Sequence, residues 1–297
     1  MPGRNPFTVR LLPVPVPKRF SDRLEDRIAS SGSLVCVGLD PDPTLWPGLF
    51  GRRPDPRALE RFLDEVLPAT RPYAAAYKAQ LGAYLPFGAH GLEMLLELPR
   101  RIGPGPLTIL DLKVNDIPHT VQWYQSGLLG ARGWDALTVT PWMGWDSLDP
   151  FESDPSRGYF VVAHSSNPGS RDLQERRSGG IPVWHRVRTE VKRRARRTGN
   201  AGVVVGATFP EAVARARRIL GPSVPMLVPG VGAQSGDLDR TIAAGLTRSS
   251  GGLLINSSRG ILYGPGGARG MARRAADLQR AIDAARSAAR TARRSPR

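Results

Sequence analysis

Eight short apolar runs, separated by longer helix-like stretches, constrain this chain more than any other feature. The runs are Leu34–Leu39, Ala74–Tyr77, Leu107–Leu110, Ala136–Val139, Tyr159–Ala163, Gly202–Val205, Pro225–Val228 and Gly252–Ile255. Between them, Asp55–Leu67, Gly91–Leu98, Val183–Arg197, Pro210–Leu220 and Leu238–Ala244 read as helices. Eight strands alternating with helices over roughly 230 residues predict an α/β fold, a single-domain (β/α)8 TIM barrel. A doubly wound sheet is the alternative. The barrel is assigned to residues 31–265, after a Pro-rich extended lead and first helix (1–30) and before an Arg-rich C-terminal helix or tail (266–297).

Composition narrows the class. At 297 residues the chain buries a large core without needing a second domain. No run reaches the roughly 18 apolar residues of a membrane span. The N-terminal apolar stretch is broken by Pro13, Pro15 and Pro17, so it reads as an extended lead rather than a signal peptide. One cysteine, Cys36, lies inside an apolar run and excludes an internal disulfide, which favours the cytoplasm. The net charge of +16 comes almost wholly from arginine, concentrated in Arg186–Arg197 and Arg269–Arg297. Such runs coat solvated helices or bind nucleic acid. Without aromatic interleaving or a nucleic-acid motif, specific nucleic-acid binding is not expected.

Lysine is scarce: Lys18, Lys78, Lys113 and Lys192 are all there are. Two of the four, Lys78 and Lys113, fall at the ends of apolar strands. A compact ammonium there is a proton donor in a way guanidinium is not. In the stretch LTILDLKVNDIPHT, residues two apart on a strand share a face, so Asp111 and Lys113 point together, with Asp116 in the loop beyond and Pro118 ending the element. The bland alternative is a structural ion pair.

The carboxyl ends of barrel strands carry functional groups. Read in order, these ends hold Asp40, Lys78, Asp111 with Lys113, Thr140, Ser166 with Asn167, Thr208, Gly230 to Gln234, and Arg259. The last two form the recurrent phosphate position of this barrel. The loop PGVGAQSGD offers exposed amides, and NSSRGILY brings Ser257, Ser258 and Arg259, whose guanidinium grips phosphate bidentately. His90, His119, His164 and His185 show no metal-ligand spacing, and neither a GxSxG elbow nor a dinucleotide fingerprint occurs.

These residues together resemble the orotidine 5'-phosphate decarboxylase family, in its longer bacterial branch. DLKVNDI fits the DxKxxDI signature at Asp111, Lys113, Asp116 and Ile117. VGLDPDP, YKAQLGAY, LTVTPWMG, AHSSNPGS, VVVGATFP, LVPGVGAQSGD and NSSRGILY follow in the family's order from about Leu34 to Tyr263. The resemblance implies cofactor-independent conversion of orotidine 5'-monophosphate (OMP) to uridine 5'-monophosphate (UMP). It implies that Asp40 and Lys78 hold the ribose hydroxyls, and that Lys78, Asp111, Lys113 and Asp116 form a charged array in which Lys113 protonates C6. It further implies that Ser166 contacts the pyrimidine and that Gln234 and Arg259 hold the phosphate. Asp116, Ile117 and Thr120 would enter the site of a second copy, which implies a homodimer.

Two positions depart from the family's usual pattern, His164 before Ser165-Ser166 and Ser235 beside Gln234, and both leave the named ligands intact. The DxKxxD motif alone is shared with metal-dependent keto-sugar-phosphate decarboxylases and aldolase-like synthases, which remain one alternative. A catalytically silent RNA-binding barrel is the other.

Overall fold

Neighbouring residues Tyr77 and Lys78 show how each strand is dressed on two faces. The Tyr77 hydroxyl lies 2.9 Å from Thr70 Oγ1 and 3.3 Å from Leu67 O, on the surrounding helix, while Lys78 points inward to Asp111. Successive strand side chains alternate in this way, so a parallel sheet covered on both faces reads as a continuous apolar run.

The computed structural model describes residues 17–50, 55–230, 237–249 and 251–294. Eight parallel strands close the barrel: β1 (Val35–Gly38), β2 (Ala76–Gln80), β3 (Leu107–Val114), β4 (Ala136–Val139), β5 (Gly158–His164), β6 (Ala201–Val205), β7 (Met226–Pro229) and β8 (Leu253–Ser257). Each pairs with its sequence neighbours, and β1 closes on β8 through Val35 opposite Ile255. This is the expected (β/α)8 barrel. The principal helices are α1 (Phe20–Ser31), α2 (Pro56–Thr70), α3 (Gly88–Ile102), α4 (Pro118–Tyr124), α5 (Val183–Thr198), α6 (Pro210–Leu220), α7 (Leu238–Gly245) and α8 (Gly267–Arg294).

Helix α1 covers the amino ends of the strands. Phe20 is fully buried against Phe160, with ring centroids 5.7 Å apart, and a Cβ on Gly158, at the start of β5, would lie 2.4 Å from its ring. Glu25 accepts from the amide of Gly252, just before β8 (2.8 Å). With that end covered, the carboxyl ends form the open mouth.

Two departures from the sequence reading have physical causes, and the expected C-terminal helix or tail is a helix with a buried face. Pro118 does not merely end an element: it occupies the first turn of α4, where a missing N–H costs nothing. α8 packs on α2 and α7 and buries Met271, Ala275, Ile282, Ala285 and Ala289 along one face. The arginine run on α5 is not wholly solvated, because Arg188 and Arg194 are buried.

Candidate active site

Register places the first pair. Lys78 on β2 lies beside Ile109 on β3, so Asp111, two residues on, shares its inward face. Lys78 Nζ donates to Asp111 Oδ2 at 2.8 Å. The other carboxylate oxygen, Oδ1, accepts from Lys113 Nζ at 2.7 Å and from Thr138 Oγ1 at 2.7 Å. One carboxylate is therefore clasped by two ammonium groups and a hydroxyl.

Lys113 reaches this position through an irregularity. Between Leu110 and Val114, β3 advances four residues while β4 advances two, from Leu137 to Val139. Lys113 has φ +50°, the one positive value for a non-glycine among the described residues. Its amide donates to Thr138 Oγ1 (3.0 Å), so one threonine binds both the Asp111 carboxylate and the backbone of Lys113. Sequence reading marked Thr140 on this strand. The group at the site is Thr138, hidden because a threonine in an apolar run reads as an ordinary strand former.

Electrostatics follow from burial. Burial alone would lower the pKa of Lys78, but the carboxylates of Asp40 and Asp111 outweigh it and raise it. Burial would raise that of Asp111, yet Lys78 and Lys113 hold it well below the usual carboxylate range. Lys78 and Asp111 therefore both stay charged at neutral pH.

Around it lie two connected cavities. The deeper, of about 170 Å3, is lined by Lys78, Asp111, Lys113 and Thr138; the outer, of about 750 Å3, by Asp40, Tyr263, Ser258 and Arg259. Ser166, Pro229 and Asn256 line both, so the charged array opens into the wider space. Asp40 is fixed by the Gln80 amide (3.0 Å) and Ser258 Oγ (2.6 Å), an approach that Gly38 permits, since a Cβ there would meet Ser258 Oγ at 1.8 Å. The Tyr263 hydroxyl bridges the same loop, donating to Asp40 O and accepting from the Asp42 amide, both at 2.6 Å. Ser166 is held from β6: Thr208 Oγ1 donates to its carbonyl (3.3 Å), and Gly206 leaves room for its backbone. Arg259 opens a single helical turn at the outer rim and forms no ion pair among the described residues.

Not every expected residue joins this group. Asp116 accepts from the Ile117 amide (2.7 Å) and pairs with neither lysine; Ile117 is half-exposed; Thr120 lines a separate apolar cavity with Trp123 and Leu128. Gln234 and Ser235 lie outside the described residues. Among the described residues, no group of three or more His, Cys, Asp or Glu side chains is placed to hold a metal ion.

This geometry has relatives. Orotidine 5'-phosphate decarboxylase of Thermomicrobium roseum is 40% identical over 252 residues, covering 84% of this chain and 89% of that protein. The Azoarcus sp. enzyme of the same name is 43% identical over 249 residues, covering 83% and 91%. The solved structure of Leishmania donovani OMP decarboxylase superimposes with a TM-score of 0.79 at 35% identity, over 91% of this chain and 99% of that one. The model of the orotidine 5'-phosphate decarboxylase / HUMPS family matches residues 33–274, nearly the whole barrel with its clasped Asp111, and the chain belongs to that family.

Proposed function

We propose that the protein converts OMP to UMP without a cofactor, with Lys113 as the acid. The observation that carries this reading is the double clasp of Asp111 by Lys78 and Lys113 at the bottom of a cavity that ends in Arg259. Their placement in the deeper and the outer of the two adjoining cavities suits a substrate whose phosphate is remote from its reacting carbon.

Arg259 and Gln234 would hold the phosphate, Asp40 and Lys78 the ribose hydroxyls, and Ser166 the pyrimidine. The C6 carboxylate would then face Asp111. The C6–carbon bond breaks, carbon dioxide leaves, and the electron pair stays on C6 in the ring plane. The Lys113 ammonium stabilises that charge and transfers its proton to C6; solvent reprotonates the amine. Asp111 disfavours the substrate carboxylate and aims Lys113, while Lys78 keeps Asp111 ionised. Binding energy from the phosphate end supports the chemical step at the other.

A second copy would complete the site. Asp116 pairs with neither lysine within one chain, and Ile117, Trp123, Trp142 and Met143 are exposed large apolar side chains. Exposed apolar groups of that size fit a homodimer interface that carries Asp116, Ile117 and Thr120 into the neighbouring site. A cytoplasmic setting, where thiols stay reduced, accommodates the buried free thiol of Cys36.

The test is the ultraviolet absorbance change of OMP with and without chelator. Turnover unaffected by chelator is expected, with Lys113→Ala abolishing it while a substrate-like nucleotide still binds. Near-normal turnover in Lys113→Ala overturns the assignment of the acid.

A further inference from the structure

Two other arginines, the buried Arg194 and the part-buried Arg217, are satisfied. Arg194 donates to Asp149 (2.8 Å), Glu152 (2.7 Å), Glu190 (2.8 Å) and the carbonyl of Trp145 (2.6 Å). Arg217 spreads over the carbonyls of Gly245, Gly221, Val224 and Gly252 at 2.6–2.9 Å. Arg188, on the same helix as Arg194, differs. It is fully buried, and its Nε, Nη1 and Nη2 have no hydrogen-bond partner. Its guanidinium lies over the Trp184 ring, 3.8 Å from the centroid, and its charged neighbours on α6 are Arg215 and Arg218. A guanidinium does not escape burial by losing its proton at neutral pH, so this site holds uncompensated positive charge.

The same indole walls a cavity of about 320 Å3 between α5, α6 and the Arg177–Pro182 hairpin. This cavity shares no lining residue with the two of the active site. Arg177, Arg215, Phe209 and His164 line it as well. His164 is buried, with Nε2 3.1 Å from Glu175 Oε1, and its Nδ1 has no partner. Burial, followed by the charges of Arg188, Arg215 and Arg177, lowers the pKa of nearby His185, so all three arginines act on one locality. The two carboxylates on the cavity wall are engaged: Glu175 with His164 and Glu211 with Arg240.

We propose that this cavity is a second anion site, taking a phosphate-bearing small molecule that Arg177 and Arg215 grip while Arg188 supplies charge from behind Trp184. Planar guanidinium forks match phosphate oxygens, and several converging arginines suit a dianion better than a single carboxylate. The space exceeds a lone phosphate, and the apolar lining of Trp184, Phe209, Pro182 and Ala212 borders the rest of the molecule. Occupancy would compensate the buried charge of Arg188, which the chain itself leaves unpaired.

Calorimetric titration of the full-length protein with inorganic phosphate at constant ionic strength tests this. Two binding events are expected. Arg259→Ala removes one, at the active site. Arg188→Met and Arg215→Gln each weaken the other at least tenfold and leave the first intact. Arg188→Met keeps the packing of the stem, and its melting temperature is expected to hold or rise once the uncompensated charge is gone. Should it fail to fold, the exposed Arg215→Gln carries the test alone. A single event abolished by Arg259→Ala, or a second event unchanged in the folded variants, overturns the proposal. The OMP assay is independent of this titration, so either reading fails without the other.

Discussion

Lys78 and Lys113 hold the two oxygens of one carboxylate at nearly equal distances, yet they should matter to stability very differently. Their ion-pair lengths are 2.8 and 2.7 Å, but the Lys78 side chain is 6% exposed and that of Lys113 is 45% exposed. Breaking a buried pair costs about 3–5 kcal/mol, because it strands the partner charge in a poorly solvated site. Lys78→Met should fall near the lower end, about 3 kcal/mol, since Lys113 and Thr138 still reach Asp111. Lys113→Met removes a half-solvated pair and should cost less than about 1 kcal/mol. Both substitutions keep a Cβ, so the backbone cost of φ +50° at position 113 is the same before and after. At roughly 2–4 °C per kcal/mol for chains near this size, the melting temperature should drop by about 6–12 °C for Lys78→Met and by less than about 4 °C for Lys113→Met. Denaturant titrations at one fixed protein concentration, alongside the OMP assay, measure the contrast. Activity should move the other way from stability: Lys113→Met, barely destabilised, should lose at least the roughly 100- to 10,000-fold expected of a missing general acid. Equal stability losses in the two variants would refute the reasoning, because exposure would then not set the value of the pair.

Other outcomes follow from the same geometry. Arg259→Ala should weaken phosphorylated substrate by about 2–5 kcal/mol while leaving binding of unphosphorylated orotidine unchanged; equal losses for both ligands would move the phosphate elsewhere. Gly206→Ala places a Cβ 2.7 Å from Ser166 Cα, so backbone must yield; it should cost about 1–3 kcal/mol and lower kcat/KM, and unaltered kinetics would detach Ser166 from the substrate. The clasp also predicts a pH profile. The depressed Asp111 contributes stability above its unfolded pKa of about 3.9, lost as pH falls below it, and the raised Lys78 contributes below about 10.4, lost as pH rises beyond it. Unfolding free energy should thus decline at both extremes, and Lys78→Met should flatten the alkaline limb; an unchanged limb in that variant would place its cause in another group.

The strands were legible because parallel strands buried on both faces are apolar at every position, and all eight apolar runs became barrel strands. Their ends were not, for a reason tied to function. An apolar run stops at its first charge, so β2 reads as ending at Tyr77 and β3 at Leu110, whereas the strands continue through Lys78 to Gln80 and through Asp111 to Val114. The residues that build the site are those that hide the length of the strands beneath it. Helix α8 was obscured differently: its buried face is mostly alanine, a weak signal beside the arginines on its other sides.

The pairing of Asp111 with Lys113 was legible from their spacing, but plain strand alternation is not how the structure achieves it. A regular β3 would keep Lys113 in the ladder beside β4. Instead the register shift and a left-handed residue lift it out, and Thr138 takes over its amide. A non-glycine residue held there costs about 1–3 kcal/mol, and it persists only when surrounding bonds over-determine it. Here three do so: Lys113 Nζ to Asp111, Thr138 to Asp111, and the Lys113 amide to Thr138, a closed triangle with no slack. That triangle fixes the ammonium before any substrate arrives, so little reorganisation remains when charge develops beside it. Asp116, Ile117 and Thr120 show the opposite limit. Within one chain Asp116 pairs with neither lysine and Thr120 lines a separate cavity, so the role proposed for them rests on the proposed second copy, and a single sequence carries no distance between copies.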